Sequence, residues 1–234
     1  MLWLLACTPS DGQLYAQSAE ATDLARASTL CGRIQDDDVR TECQGQLGRE
    51  HASDPAIEDH CASIQDDRWR DECFFLLAEE VWDAGETRDA SRLCTRAGAY
   101  LGPCFMHLWA QHAAGLKREL APDEAVVQYE GALAWAGEHL TEDLERRGWG
   151  LYFRTEVGRV DMASCKGDKA RLCRAGLREA ITRAINRQAS RGGPLPCDAS
   201  DSQARAEALR ALIDYTPTPA LDTWVKSALE PHCD

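Results

Sequence analysis

Most of the chain's 11 cysteines fall in a repeat that narrows what can fold around them. Cys31 and Cys43 bracket CGRIQDDDVRTEC, and Cys61 and Cys73 bracket CASIQDDRWRDEC 30 residues later. Eight of those 13 positions are identical: both cysteines, Ile, Gln, two Asp, Arg and Glu. A looser third unit runs from Cys94 to Cys104, offset by 33 and 31 residues from the second, with Gly98, Gly102 and Pro103 marking its turn. A period of this length belongs to stacked helical hairpins, close to tetratricopeptide spacing.

Geometry then dictates where each hairpin must bend. Cysteines 12 positions apart on one straight helix would stand about 18 Å apart, whereas a disulfide needs Cα atoms within roughly 7 Å. A turn at Asp36-Asp37-Asp38 reverses the chain, and Cys31–Cys43, Cys61–Cys73 and Cys94–Cys104 become bondable. Cys165 and Cys173 form a tighter bracket with Gly167-Asp168 as its bend. Cys197 and Cys233 remain, and their bond fastens the last residues to the irregular stretch around Gly192-Gly193-Pro194. Ten cysteines allow about 945 pairings, so this assignment rests on locality. Each short bridge adds on the order of 3 kcal/mol on a chain-entropy estimate.

Disulfides at this density place the chain in an oxidising compartment. They supplement a core, since 44% of residues are hydrophobic and 28% charged, ordinary values for a globular chain. The formal charge of −13, from 26 Lys and Arg against 39 Asp and Glu, repels phosphate backbones and anionic headgroups. That argues against nucleic acid as a partner. It leaves solubility, or a preference for cationic partners or Ca²⁺, as the use of the acidity, although the EF-hand pattern is absent.

Leu4-Leu5-Ala6-Cys7 resembles a bacterial lipobox, where a signal peptidase cuts before a cysteine that receives lipid. The apolar run Leu2 to Ala6 is shorter than in an ordinary signal sequence, and no Lys or Arg precedes it. On this reading residues 1–6 are a partial signal-like segment, Cys7 is the lipidation site and 7–18 are a tether. Setting Cys7 aside leaves ten cysteines, an even number. No apolar run approaches the roughly 20 residues of a membrane span.

From about Ala19 onward the composition is helical, with no strand-like alternation. Asp54 caps and Pro55 opens a helix reaching about Ile64. Asp66 or Asp67 caps the next, which carries Trp69, Cys73, Leu76, Leu77 and Glu80 to a stop at Gly85. The same geometry fits 19–34 and 37–50. Ala121-Pro122-Asp123-Glu124 opens a helix to about Leu140, and Thr141 and Asp143 restart one to about Val160. A long basic helix spans 174–190, followed by helices over 201–214 and 219–230. The expected fold is all-α: stacked, disulfide-stapled helical hairpins of α-solenoid or TPR-like form. The helical-repeat domain covers 19–160. A C-terminal helical segment covers 161–234, either separate or capping the same domain.

The C-x-x-I-x-D…R-x-E-C brackets, Leu93-Cys94-Thr95-Arg96-Ala97-Gly98 and Cys104-Phe105-Met106-His107-Leu108-Trp109 resemble cysteine-bracketed helical-repeat proteins, a class of bacterial secreted or lipid-anchored chains. The resemblance covers roughly residues 19–115. It implies an α-solenoid-like fold and no catalytic residues.

Within the repeat, Arg40 and Glu42 match Arg70 and Glu72. The acidic turns Asp36-Asp37 and Asp66-Asp67 are expected to pair with these arginines across the hairpin and set its angle. Cys104-x-x-His107, joined by Cys94, is a possible zinc spacing, but oxidation takes those thiols first. His112 lies on the stripe Phe105, Leu108, Trp109, Leu116 and reads as a core histidine. His107 lies off the stripe with no partner in view. There is no G-x-S-x-G motif, no phosphate loop and no diagnostic carboxylate pair. We therefore expect no catalytic residue, no cofactor and no metal. Trp69, Phe74, Phe75, Trp82, Phe105, Trp109, Trp135 and Trp149 read as knobs between helices, a few of them lining a groove. The expected function is a non-catalytic cell-envelope lipoprotein, in the outer membrane or periplasm. Its helical repeats act as a scaffold for a protein or peptide partner, and lipid on Cys7 holds it at the membrane. The alternatives are a periplasmic or secreted small-ligand module and a carboxylate-dependent hydrolase.

Overall fold

The computed structural model describes residues 9–154, 165, 170–192, 195, 197 and 219–233. The signal-like segment 1–6, Cys7, the Gly167-Asp168 bend, the 160/161 boundary and the helix expected over 201–214 lie outside the described residues. The protein is all-helical, with no strand among the described residues. It divides into two compact units, Met1–Phe105 and Met106–Asp234.

The first unit begins with a helix where a tether was expected. Ser10-Asp11-Gly12-Gln13 reads as a turn by composition, but it is a capping box. The Ser10 hydroxyl accepts from the Gln13 N–H, and the Gln13 side chain accepts from the Ser10 N–H. Satisfying these otherwise orphaned donors starts α1 (Asp11–Ala19). Leu14 and Ser18 are buried, and α1 packs on the next two helices.

The repeats follow as α2 (Leu24–Gly32) with α3 (Asp37–Glu50), then α4 (Ile57–Ser63) with α5 (Asp67–Asp83). The third is α6 (Thr87–Cys94), a 3₁₀ turn at Gly98–Tyr100 and the start of α7 (Leu101–Glu119). Asp23, Asp36 and Asp66 are the side-chain N-caps of α2, α3 and α5. Asp54 does not cap α4 directly. It accepts from the Ala56 N–H at 2.9 Å in the preceding turn, and the helix starts two residues later than Pro55 predicts.

Disulfides join Cys31 to Cys43, Cys61 to Cys73 and Cys94 to Cys104, with Cα separations of 5.6, 5.6 and 5.5 Å. All six cysteines are sealed in the core with Ile34, Leu47, Ile64, Leu77 and Leu93. Successive repeats approach closely because α3 presents Gly48 to α5. A Cβ there would lie 2.4 Å from the Cys73 carbonyl oxygen. Ion pairs span successive repeats. Arg49 reaches Glu79, 30 residues on, at 2.8 Å, while Arg92 and Arg96 both grip Glu58 at 2.6 and 2.7 Å. Arg92 binds the Glu58 carboxylate through two nitrogens, a fork-on-fork pair, and these contacts hold the Glu58 carboxyl below its usual range.

In the second unit the remainder of α7 meets α8 (Pro122–Leu133), a 3₁₀ segment Ala134–His139 and α9 (Glu142–Arg154). The helix expected to reach Leu140 stops at Leu133, and within the 3₁₀ segment that follows Gly137 at φ +53° leaves helical geometry. Then come α10 (Ala170–Ser190) and α11 (Pro219–Leu229). Cys165–Cys173 and Cys197–Cys233 are bonded here. Leu177, Ile181 and Ile185 of α10 are sealed in the core between α9 and α11.

Candidate functional site

The residues shared by the two tight repeats sort by what each does. Ile34 and Ile64 are core, and Asp36 and Asp66 cap helices. Asp37 and Asp67 pair with Arg40 and Arg70, but within α3 and within α5, three residues apart, not across the hairpin as expected. A carboxylate three residues before an arginine on one helix meets it without any change of tertiary structure, so the local pair forms. The contact that does cross the hairpin is made to the backbone, where Arg40 Nη1 donates to the Ile34 carbonyl at 3.0 Å. In the third unit the turn lacks its own aspartate, and Asp71 of α5 substitutes by accepting from the Ala99 N–H at 2.8 Å. Its carboxylate occupies the space a side chain at position 98 would need, so glycine stands there at φ +43°.

Glu42 and Glu72 are different. They recur in the repeat, yet make neither a hydrogen bond nor an ion pair among the described residues. The fold brings them to one place. Both act electrostatically on the Tyr15 hydroxyl, together with Glu50, and burial with these carboxylates pushes the Tyr15 pKa up. Tyr15 lies on α1, Glu42 on α3 and Glu72 on α5, all half-buried. Half-buried Trp69 stands one turn before Glu72. It packs on α3 where Gly45, one turn after Glu42, leaves room for its ring. Arg68 lies 4.9 Å over that ring. Further along α5, half-buried Phe75 stacks on Tyr100 at 6.0 Å, and Trp82 is also half-buried. Carboxylates beside the half-buried Trp69 ring suit guanidinium and ammonium groups, which pair with the first and lie over the second.

The charge of the chain is concentrated in this unit. Residues 1–105 hold 20 carboxylates, nine arginines and no lysine, a formal −11 of the total −13.

The remaining sequence candidates fall as follows. Phe74, Phe105, Trp109 and Trp149 are core, and Trp135 is half-buried. His112 is half-buried against Trp135, ring centroids 4.9 Å apart, and burial lowers its pKa. His107 has a partner after all, since the Gln111 amide donates to its Nε2 at 2.8 Å from the next turn of α7. Cys94 and Cys104, weighed as zinc ligands with His107, are bonded to each other. Among the described residues no group of three or more His, Cys, Asp or Glu is placed to hold a metal ion. Nor is any helix among them long and apolar enough to cross a membrane.

The sequence contained one usable sign of this site: a glutamate kept in both repeats beside an arginine with a visible local partner. Tyr15 carried no such sign, because its segment read as a tether. No protein-family model, curated protein or solved structure matches the chain.

Proposed function

We propose that this protein is a non-catalytic, extracytoplasmic scaffold, anchored by lipid on Cys7. Its TPR-like stack of stapled hairpins docks a basic segment of a protein or peptide partner on the α1–α3–α5 face. The observation that carries this reading is the convergence of Glu42 and Glu72 at Tyr15, two repeat-equivalent carboxylates without a cationic partner among the described residues. The five disulfides fit folding in an oxidising compartment. Stapled hairpins supply a rigid platform, and rigidity lowers the ordering cost of binding.

Titration of labelled arginine- and lysine-containing peptides against the full chain tests the site. Binding is expected to weaken with salt, and the pair Glu42→Gln, Glu72→Gln is expected to reduce affinity at least about tenfold, the scale of two lost charge-assisted contacts. Equal affinity in the variant overturns the docking face. Mass spectrometry of the membrane fraction, seeking an acylated Cys7 peptide, tests the anchor separately.

A further inference from the structure

The five disulfides are not equivalent in their access to solvent. The eight cysteines of the first four bridges are each at most 3% exposed. The fifth bridge is open, with Cys197 half-buried and Cys233 exposed. Beside it lies an open hollow of about 390 Å³ lined by Ala189, Gly192, Leu195, Cys197 and His232. The end of α10 and the adjoining turn form one wall. The His232 ring is held against that helix, its Nε2 donating to Asn186 Oδ1 at 2.8 Å.

We propose that Cys197–Cys233 is a thiol–disulfide exchange site, the one bridge that low-molecular-weight thiols and dithiols open in the folded protein. Thiol exchange requires a thiolate to reach a sulfur from outside along the S–S direction. In the first four bridges protein atoms fill that approach. At the fifth, the hollow beside Cys197 has room for a small thiol, and Cys233 is exposed. The balance is simple. A thiolate RS⁻ attacks Cys233 Sγ, the S–S bond breaks, and the electron pair departs on Cys197 Sγ, which takes a proton from water. A second RS⁻ attacks the mixed disulfide and forms RSSR, leaving Cys233 as thiolate. The bridge is reduced by two electrons, and two thiols are oxidised to one disulfide. Four sealed bridges then hold the hairpins while one responds to the thiol poise of the compartment. This goes beyond the docking role and does not depend on it.

The test uses the intact chain without denaturant. It is exposed to a monothiol such as glutathione, or to a dithiol, quenched with an alkylating label at intervals and mapped by mass spectrometry. Cys197 and Cys233 are expected to label on the order of 100-fold faster than any other pair, because sealed sulfurs are reached only when the fold opens. Labelling of another bridge first, or of all five together, overturns the proposal. So does a fifth bridge that resists thiol until global unfolding. The double variant Cys197→Ser, Cys233→Ser is expected to lose the thiol-dependent fast phase while the eight cysteines of the other four bridges stay protected. If a fast phase persists in that variant, the site lies elsewhere.

Discussion

The bracketed repeats and the α7–α9 region fix their helices by different means. Between Cys31 and Cys104 each hairpin is closed by a sealed disulfide. From residue 105 to 154 there is no cysteine, and large side chains do the same work. Tyr129, Trp149 and Tyr152 form a cluster with centroids 4.6 to 6.0 Å apart, and Phe153 joins it. Trp109 Nε1 donates to the Ala132 carbonyl at 2.9 Å, and Tyr129 Oη to the Gly148 carbonyl at 2.8 Å. A disulfide fixes a hairpin within the volume of two sulfurs, so the helix surface beyond it is free for other uses. On α5, Trp69, Phe75 and Trp82 accordingly remain partly open, whereas Trp109, Tyr129, Trp149, Tyr152 and Phe153 of the second region are consumed by its core.

The sharpest way to break this contrast is to remove one member of the aromatic region. Trp109→Ala deletes a fully buried ring and its hydrogen bond, with an expected loss of about 3–5 kcal/mol. Hydrogen exchange should show the loss concentrated in α7, α8 and α9, and protection unchanged there would refute the ring's role. Cys61→Ser with Cys73→Ser is expected to cost somewhat less, about 3 kcal/mol, because only a short loop is freed in the unfolded chain. Denaturant unfolding measures it, and a loss near zero would mean that packing alone holds the hairpin. Gly48→Ala should cost about 1–3 kcal/mol through overpacking of α3 on α5. A Gly48→Ala protein as stable as the parent would show that the helices slide apart freely.

The smallest effects are in pH dependence, and the groups act over different pH ranges. Burial lowers Lys117 from 10.5 to about 8 and raises Tyr152 from 10.0 to about 12. Lys117 donates to the Tyr152 carbonyl and lies 4.3 Å over its ring. Between about pH 8 and 10.5 the unfolded chain holds the extra lysine proton, so this lysine makes stability rise with pH across that window. The tyrosine acts oppositely from about pH 10 to 12, where the unfolded chain has already lost its proton. In the bracketed region, burial lowers the His60 pKa, opposed by its bond to the Gln44 carbonyl at 3.1 Å. The unfolded histidine protonates first, so stability is lost as pH falls below the usual 6.5. Unfolding midpoints against pH should lose the alkaline rise in Lys117→Met and part of the acid slope in His60→Gln. Unchanged profiles would contradict the assignments.

Local chemistry made much of the first unit legible. The span of α3 over Asp37–Glu50 and the stop of α5 before Gly85 (φ +90°) follow from aspartate caps and a glycine that accepts positive φ. Ser10 to Gln13 misled because a capping box and a flexible turn share the same residues. They differ only in whether an apolar side chain, here Leu14, finds a surface to bury against. The candidate site was half legible: the repeated glutamates showed in the sequence, but Tyr15 did not.

Taken alone, the sequence settled the helical class, the places where the first two hairpins reverse and the proximity of each bracketing cysteine to its neighbour. Those depend on the rise of a helix and the reach of a sulfur bond, which act over a dozen residues. In the third hairpin, Gly102 and Pro103 belong to the first turn of α7 and only Gly98 marks the bend. Tertiary structure decided which carboxylates meet, that Arg40 grips a carbonyl, and that one bridge of five stands open. Such outcomes depend on how helices distant in sequence pack, and on the solvent their packing excludes, which no local pattern encodes.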